Sequence, residues 1–309
     1  MKIYFVGDTR SPFIKQDLEL LHDNHQVRLF DLASHATSFW QVPKYLFDVS
    51  VEALQVKAAD VIWIWFADYP AVPFMLYGKL FRKPVIVNVG GYEVYSAPDI
   101  GYGNQIKTLR GFTSRWILWQ ATQCVVMSQA YRDIINYMVP GAVVTVIPGC
   151  IDTSLCDVYT PDKHGIVTAY CDYPLARTIK GIPIFEAATK GIGHAKVIRN
   201  MPHDKLIEEF KKAMVYCQLS RTESFGVSLL EAMACGCVPV VSNMDSLPEM
   251  IGTSGIVVPY GDINAARQGI LKAFDKDGNA ARDRASVFTK ERRKKKIEEM
   301  LLIFERKDG

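Results

Sequence analysis

Short runs rich in β-branched and aromatic residues recur along the first half of the chain at Lys2–Val6, Val27–Phe30, Val61–Trp65, Pro84–Val89, Cys124–Ser128 and Val144–Pro148. Segments long enough for a helical crossover separate them, so neighbouring runs pair as parallel strands with helices on both faces of the sheet. A second series follows at Ile166–Cys171, Ala195–Arg199, Val215–Leu219, Val238–Ser242 and Ile256–Pro259. Between these strands the periodicity predicts helices over Ile182–Thr189, His203–Ala213, Ser224–Cys235, Leu247–Ile251 and Asp262–Phe274, with Asp262 as an N-cap. The fold class is therefore α/β. Open parallel sheets bind ligands beyond the carboxyl ends of their strands, which directs attention to the loops Gly7–Pro12, Ala67–Pro73, Gly90–Tyr95 and Ser128–Tyr131.

A length of 309 residues exceeds one typical core, so two domains are expected. The boundaries read from the sequence are 1–153 for the first domain, 154–165 for a polar linker containing Pro161 and Gly165, 166–288 for the second domain, and 289–309 for a C-terminal helix. A net charge of +3 is too small to indicate nucleic-acid binding. Seven cysteines without a C-x2-C pair argue against a disulfide framework or a zinc ribbon, and a reducing, cytoplasmic setting is the expectation. Val61–Phe66 is the most apolar run, but Asp68, Pro70 and Pro73 follow too soon for a membrane span.

The densest signal for chemistry is Arg221-Thr-Glu-Ser-Phe-Gly-Val-Ser-Leu-Leu-Glu231-Ala-Met-Ala-Cys-Gly-Cys-Val-Pro-Val-Val241. Val227, Leu230 and Ala234 mark the buried face of a helix that starts near Ser224, with Ser224 as N-cap and Gly236 as its end. Eight residues on an α-helix leave Glu223 and Glu231 about 80° from eclipsed. Glu223 is thus placed in the preceding loop, and Glu231 two turns along, on the face of Ser228 and Cys235. The helix N-terminus between them, with small Gly226, suits an anion. A ligand with a central phosphate and hydroxyl-rich ends, such as a nucleotide-sugar, matches this layout.

Glu-x7-Glu with an internal Phe-Gly, running into Glu-Ala-Met-Ala and Pro-Val-Val, resembles the retaining glycosyltransferases of family four, the glycosyl transferases group 1. The resemblance implies the GT-B fold, two Rossmann-like domains facing across a cleft. It also implies transfer of a sugar from a nucleoside diphosphate to an acceptor hydroxyl, by front-face attack through an oxocarbenium-like state. Lys180-Gly181, after the first strand of the second domain, resembles the family's diphosphate-binding Lys-Gly. The arginine usual about five residues earlier is Leu175 here, and Arg177 stands three before the lysine. Fixed cations and a helix N-terminus stabilise a diphosphate leaving group without a metal, so no metal and no cofactor are expected.

The same resemblance assigns Glu231 to the ribose hydroxyls and Glu223 to the transferred sugar, with Lys180 and Arg177 beside them. Ser224, Phe225, Gly226 and Val227 would present backbone N–H groups to sugar or phosphate oxygens, and the loop Arg199-Asn200-Met201-Pro202 would hold the base. Ionised carboxylates suit hydroxyl recognition because each oxygen accepts charge-assisted hydrogen bonds. On the acceptor side, Asn88-Val-Gly-Gly-Tyr-Glu-Val94 matches a family segment that often carries His-Gly, but Gly90 stands at the histidine position. A side-chain role there is lost or moved to Tyr92 or Glu93, while Gly7 and Gly91 would allow backbone to approach the substrate. The family's Asn-Gly after the exit proline is Gly149-Cys150 here, and the stretch from Ile182 to Ala195 is shorter than the family pattern.

The partners implied are a nucleotide-sugar donor and a glycan, lipid or small-molecule acceptor. Arg110–Trp119 mixes cations with aromatics and reads either as an acceptor-lining segment or, more ordinarily, as a helix with Trp116 and Trp119 tucked into the core. The basic run Lys290–Lys296 reads as a solvated helix face, with peripheral attraction to an anionic membrane as the alternative, and the last helix would pack back on the first domain. Six scattered histidines give no ligand spacing, Gly101-Tyr-Gly103 and Gly191-Ile-Gly193 lack the rest of a dinucleotide fingerprint, and no Gly-Lys-Ser/Thr loop exists. A nucleotide-sugar epimerase of GT-B fold and a non-catalytic nucleotide-sugar-binding protein remain as alternatives.

Overall fold

The computed structural model describes residues 1–34, 42–156 and 163–305, and its chain divides into two compact units. The first comprises Met1–Ile147 with Lys294–Gly309, and the second Pro148–Arg293. Residues 157–162 of the expected linker, and 306–309 of the expected last helix, lie outside the described residues. The segment after Pro148 joins the second unit because the Ile151 N–H donates to the Phe288 carbonyl at 2.9 Å, and Ile151 bridges Thr289.

In chain order the first unit contains β1 (Lys2–Gly7), α1 (Pro12–His22), β2 (Gln26–Asp31), α2 (Val42–Val51), α3 (Ala53–Ala58), β3 (Val61–Trp65), α4 (Val72–Phe81), β4 (Val85–Asn88), α5 (Thr108–Gln120), β5 (Gln123–Val126), α6 (Gln129–Met138) and β6 (Val144–Val146). Its strands form a parallel sheet in the order β2-β1-β3-β4-β5-β6. Strand β3 is buried at every position, as expected of a sheet covered on both faces. The inward packing of Tyr4, Phe30, Phe74 and Ile117 ties the helices to it. One expectation fails here. Trp119 is 62% exposed, and Trp116 is only partly buried, because α5 turns Gly111, Ser114, Ile117 and Leu118 inward instead.

The second unit contains β7 (Ile166–Tyr170), α7 (Ala176–Ile179), α8 (Ile182–Ala188), β8 (Ala195–Arg199), α9 (His203–Lys212), β9 (Val215–Gln218), α10 (Val227–Ala234), β10 (Val238–Ser242), α11 (Leu247–Ile251), β11 (Ile256–Val258), α12 (Ile263–Ala273) and α13 (Asn279–Ala285). Its parallel sheet runs β11-β10-β9-β7-β8. All five strands fall where the sequence places them, whereas α13 went unread. Its run of Ala and Arg buries only Ala281 and Ala285, too short a stripe to register as periodicity. A last helix, α14 (Lys290–Glu305), begins in the second unit and belongs from Lys294 onward to the first. There Glu298 Oε2 meets His25 Nε2 at 3.0 Å, and Lys294 Nζ reaches Asp23 Oδ2 at 2.9 Å.

Cysteine chemistry departs from expectation at one position. Cys235 is disulfide-bonded, while Cys124, Cys150, Cys171, Cys217 and Cys237 are not in disulfides. Spacing along the chain cannot show such a pairing, because the fold decides which sulfurs meet. Among the described residues no helix is long and apolar enough to cross a membrane.

Candidate functional site

In the second sheet β7 lies between β8 and β9, so the loops leaving β7 and β9 diverge to opposite sides of the topological switch point. Those two loops carry Lys180 and Glu223. Lys180 Nζ donates to Glu223 Oε2 at 2.6 Å. Gln218, at the carboxyl end of β9, donates its amide to the same oxygen and receives a 3.3 Å hydrogen bond from the buried Tyr216 hydroxyl. Burial depresses the Lys180 ammonium, but the Glu223 charge and hydrogen bond, with a contribution from Tyr173, raise its pKa above the usual lysine value in sum.

The approach of the two loops depends on Gly181. It has φ of +67°, and a Cβ there would lie 1.9 Å from the Leu219 carbonyl oxygen, so no other residue fits. The Arg221 N–H also donates to the Ile179 carbonyl at 2.7 Å, which fastens one loop to the other. From the far side, the Ser246 hydroxyl donates to the Glu223 carbonyl at 2.6 Å, and Asp245 Oδ2 accepts from the Glu223 N–H at 3.2 Å and from the Thr222 hydroxyl. Burial lifts the Asp245 carboxyl above its ordinary value, while the Thr222 hydrogen bond works the other way.

Helix α10 begins later than the sequence suggests. Gly226, with φ of +89°, is the N-cap residue, and Ser224 makes no capping hydrogen bond. A left-handed residue before the first turn demands glycine, and this overrides the side-chain preference that favoured Ser224. Val227 is consequently exposed rather than buried, whereas Leu229 through Ala234 are all buried. Phe225 anchors the turn from below. Its ring packs edge-on to Phe288 at 5.7 Å and occupies the space a Cβ on Gly149 would need, 2.6 Å away. The Gly149 departure from the family pattern thus has a steric cause.

Glu231 is not on a solvent face. It is 8% exposed, and its Oε1 meets His203 Nε2 at 2.8 Å. Burial raises its pKa above the usual carboxylate range, with His203 opposing the shift. Arg177 is not drawn to the Lys180–Glu223 pair, since its guanidinium holds both oxygens of Glu186 at 2.9 Å. Arg199 pairs with Asp172. Asn200 takes φ of +50°, and its Oδ1 accepts from the Asp172 N–H at 2.7 Å, while Met201 stands half-buried beside it. Among the described residues no three His, Cys, Asp or Glu side chains group as a metal site.

In the first unit, Gly7 is the last residue of β1, and Gly90, Gly91, Tyr92 and Glu93 follow the end of β4. A Cβ on Gly90 would lie 2.0 Å from Phe66, a residue with φ of +74°, so the Phe66 ring fills the place of a side chain at position 90. Glu93 is buried, and its two oxygens accept from the Gly90 and Gly91 N–H groups at 2.8 and 2.9 Å. Burial raises its pKa against those backbone donors. Tyr92 stacks edge-on with Tyr102 at 4.9 Å. Asn88 is buried at the end of β4, and neither its amide nitrogen nor its oxygen has a protein partner.

Sequence reasoning missed Gln218, Thr222, Asp245, Ser246 and His203. A glutamine closing an otherwise apolar strand, Val-Tyr-Cys-Gln, is a detectable signal at the carboxyl edge of a sheet. Asp245 and Ser246 carry none, since only the neighbouring β10 brings their loop to Glu223.

Residues 185–295 match the family model described as Glycosyl transferases group 1. That segment belongs to the group 1 glycosyltransferases. It includes Glu223, Glu231 and the helix between them, but not Lys180. O-antigen chain mannosyltransferase B of Escherichia coli is 34% identical over 85 residues, 28% of this chain and 22% of that protein. The match thus spans about a fifth of the curated relative's length. Similar solved structures include a glycosyltransferase from Rickettsia africae, with a TM-score of 0.75 at 15% identity over 98% of both chains. Sucrose-phosphate synthase from Thermosynechococcus elongatus gives 0.73 at 15% identity over 97% of this chain and 98% of that one. Anabaena HepE, solved in complex with UDP and glucose, gives 0.70 at 15% identity over 97% and 99%. At such identities the likeness is one of fold, and the fold is GT-B.

Proposed function

We propose that this group 1 glycosyltransferase moves a sugar from a nucleoside diphosphate to an acceptor hydroxyl with retention of configuration and without a metal. The observation that carries the reading is the Lys180–Glu223 contact of 2.6 Å, made at the switch point of the second sheet beside the N-terminus of α10. A lysine at that position supplies a fixed positive charge for the departing diphosphate, where charge develops as the glycosidic bond breaks. Gly226, Val227 and the following N–H groups of α10 add donors to the same anion, with Ser224 and Phe225 in the turn before them. Gln218 and Lys180 converge on Glu223 Oε2, which leaves Oε1 for a hydroxyl of the sugar.

Glu231 would accept from the ribose, with His203 releasing or sharing the carboxylate as the nucleoside enters. Arg199, Asn200 and Met201 would line the base, and Arg177 would reach the diphosphate only by leaving Glu186. Support for a nucleotide donor comes from the similar Anabaena structure that holds UDP and glucose, and support for hexosyl transfer from the similar mannosyltransferase. On the acceptor side, Gly7, Gly91 and Tyr92 offer backbone and ring surface, while Glu93 acts by holding the Gly90–Gly91 turn. A membrane contact through Lys290–Lys296 has little support, because Arg293 is buried against the Pro148 carbonyl and Lys294 is paired with Asp23.

The test is thermal shift with a panel of UDP-, GDP- and ADP-sugars, followed by product analysis with the stabilising donor. Transfer or donor hydrolysis that survives EDTA, giving an α-product from an α-donor, is expected. Donor binding without turnover would make the protein a sugar-nucleotide binder, and turnover of the donor to an epimer without acceptor would make it an epimerase.

A further inference from the structure

Helix α5 has two apolar faces. Gly111, Ser114 and Leu118 pack inward, while Leu109, Phe112 and Trp119 lie on the outer side, with the partly buried Trp116 between them packing against the core. Leu109, Phe112 and Trp119 are 68%, 61% and 62% exposed, an unusual fate for large side chains in one stripe. The neighbouring α4 adds Leu76 and Leu80, 51% and 69% exposed, around Lys79. Lys79 Nζ lies 5.4 Å from the centre of the Trp116 ring, so the two stripes join into one surface.

Cations outnumber anions along the segments that build this surface. From Tyr69 to Tyr92, and again from Ile100 to Arg132, there is no Asp or Glu, although the chain holds 33 of them in 309 residues. The same stretches carry Lys79, Arg82, Lys83, Lys107, Arg110, Arg115 and Arg132. Of these, Arg110 is paired, 3.3 Å from Asp68, and Arg115 donates to the Gln105 side chain. Lys79 and Lys107 are exposed and have no acidic partner among the described residues.

We infer that the α4–α5 face of the first unit docks on the surface of a bilayer containing anionic phospholipid. Leu109, Phe112 and Trp119 would enter the headgroup–acyl boundary, where indole rings are favoured, and the lysines would face the phosphates. Aromatic side chains interleaved with cations, with Asp68 neutralised by Arg110, complement such a surface from both its apolar and its charged sides. A protein partner would be served by apolar area with a rim of both charges, whereas the charges here left unpaired among the described residues, Lys79 and Lys107, are both positive. Docking needs no donor chemistry, so vesicle binding tests it independently of sugar transfer.

The measurement is flotation of the full chain with phosphatidylcholine vesicles made with and without phosphatidylglycerol. Binding is expected only with phosphatidylglycerol present, and should fall with added salt. Each lysine near the surface should be worth about fivefold in binding, so Lys79→Glu with Lys107→Glu should weaken it at least tenfold. Phe112→Ser with Trp119→Ser should do the same at low salt. Both pairs replace exposed side chains, and a thermal melt followed by circular dichroism checks that either variant is folded. Equal binding to both vesicle types, no binding to either, or unchanged binding by both folded variants would overturn the inference. A dimer in solution that Phe112→Ser with Trp119→Ser dissolves, with no vesicle binding by the parent chain, would instead assign the face to a second copy.

Discussion

Lys180 and Glu223, 43 positions apart in the chain, meet at 2.6 Å because β7 and β9 are neighbours and Gly181 lets their loops touch. Each side chain limits what the other can do. The lysine keeps the carboxylate oriented, and the carboxylate keeps the ammonium charged.

Removing the lysine should therefore be costly twice. Lys180→Met is expected to abolish transfer and to weaken nucleoside diphosphate binding. It should also destabilise the fold by about 1–3 kcal/mol by leaving a partly buried carboxylate short of a donor. Pairing it with Glu223→Gln should recover part of the stability but none of the activity. Urea unfolding of the four members of the cycle measures the coupling, and additive losses would mean that the pair is not energetically joined.

The two glutamates should separate by ligand. Glu231→Gln is expected to weaken binding of the free nucleoside diphosphate and of the whole donor alike, by about 1.5–3 kcal/mol for a lost charge-assisted hydrogen bond. That is roughly ten- to hundredfold in affinity. Glu223→Gln should leave diphosphate affinity nearly unchanged and depress the transfer rate. Titration calorimetry with the diphosphate, beside initial rates with the donor, distinguishes the two. Equal loss of diphosphate affinity in both variants would refute this division of labour.

Glu231 should also impose a pH dependence. Burial raises its folded-state pKa above the ordinary carboxylate value. Its protonated form is thus favoured by the fold, and the associated stability is lost as pH rises through the raised pKa. If Glu231 accepts from the ribose as proposed, binding needs its ionised form, so diphosphate affinity should fall as pH is lowered through that raised pKa. The phosphates of the ligand titrate as well, and Glu231→Gln supplies the control: the difference between its affinity and that of the parent chain should shrink toward low pH.

Position 90 gives a steric prediction. Gly90→His should be destabilising by about 1–3 kcal/mol, the usual cost of forcing atoms into filled space, because Phe66 occupies the room for a side chain. Phe66→Ala should relieve that cost, so the double variant is expected to be more stable than Gly90→His with the Phe66 change counted separately. Additive thermal melts would show that Phe66 is not what excludes a side chain there.

The sequence alone determined the two parallel sheets, since strand-like runs separated by crossovers admit few other arrangements, and every strand of both sheets was legible in it. The glutamate pair, the Phe-Gly turn and Lys180-Gly181 were legible as well, because they depend on residues close together along the chain. Tertiary structure decided the rest. Whether Ser224 or Gly226 caps α10 turned on a backbone angle that the packing of Phe225 against Gly149 and Phe288 helps to fix. Whether Glu231 faced solvent turned on α9 bringing His203 to it. The side of α5 that Trp119 takes turned on which face the sheet had already filled with Gly111, Ser114 and Leu118. Periodicity reports that a helix has an apolar stripe. When a helix has two such stripes, only the packing of its neighbours selects the one that is buried.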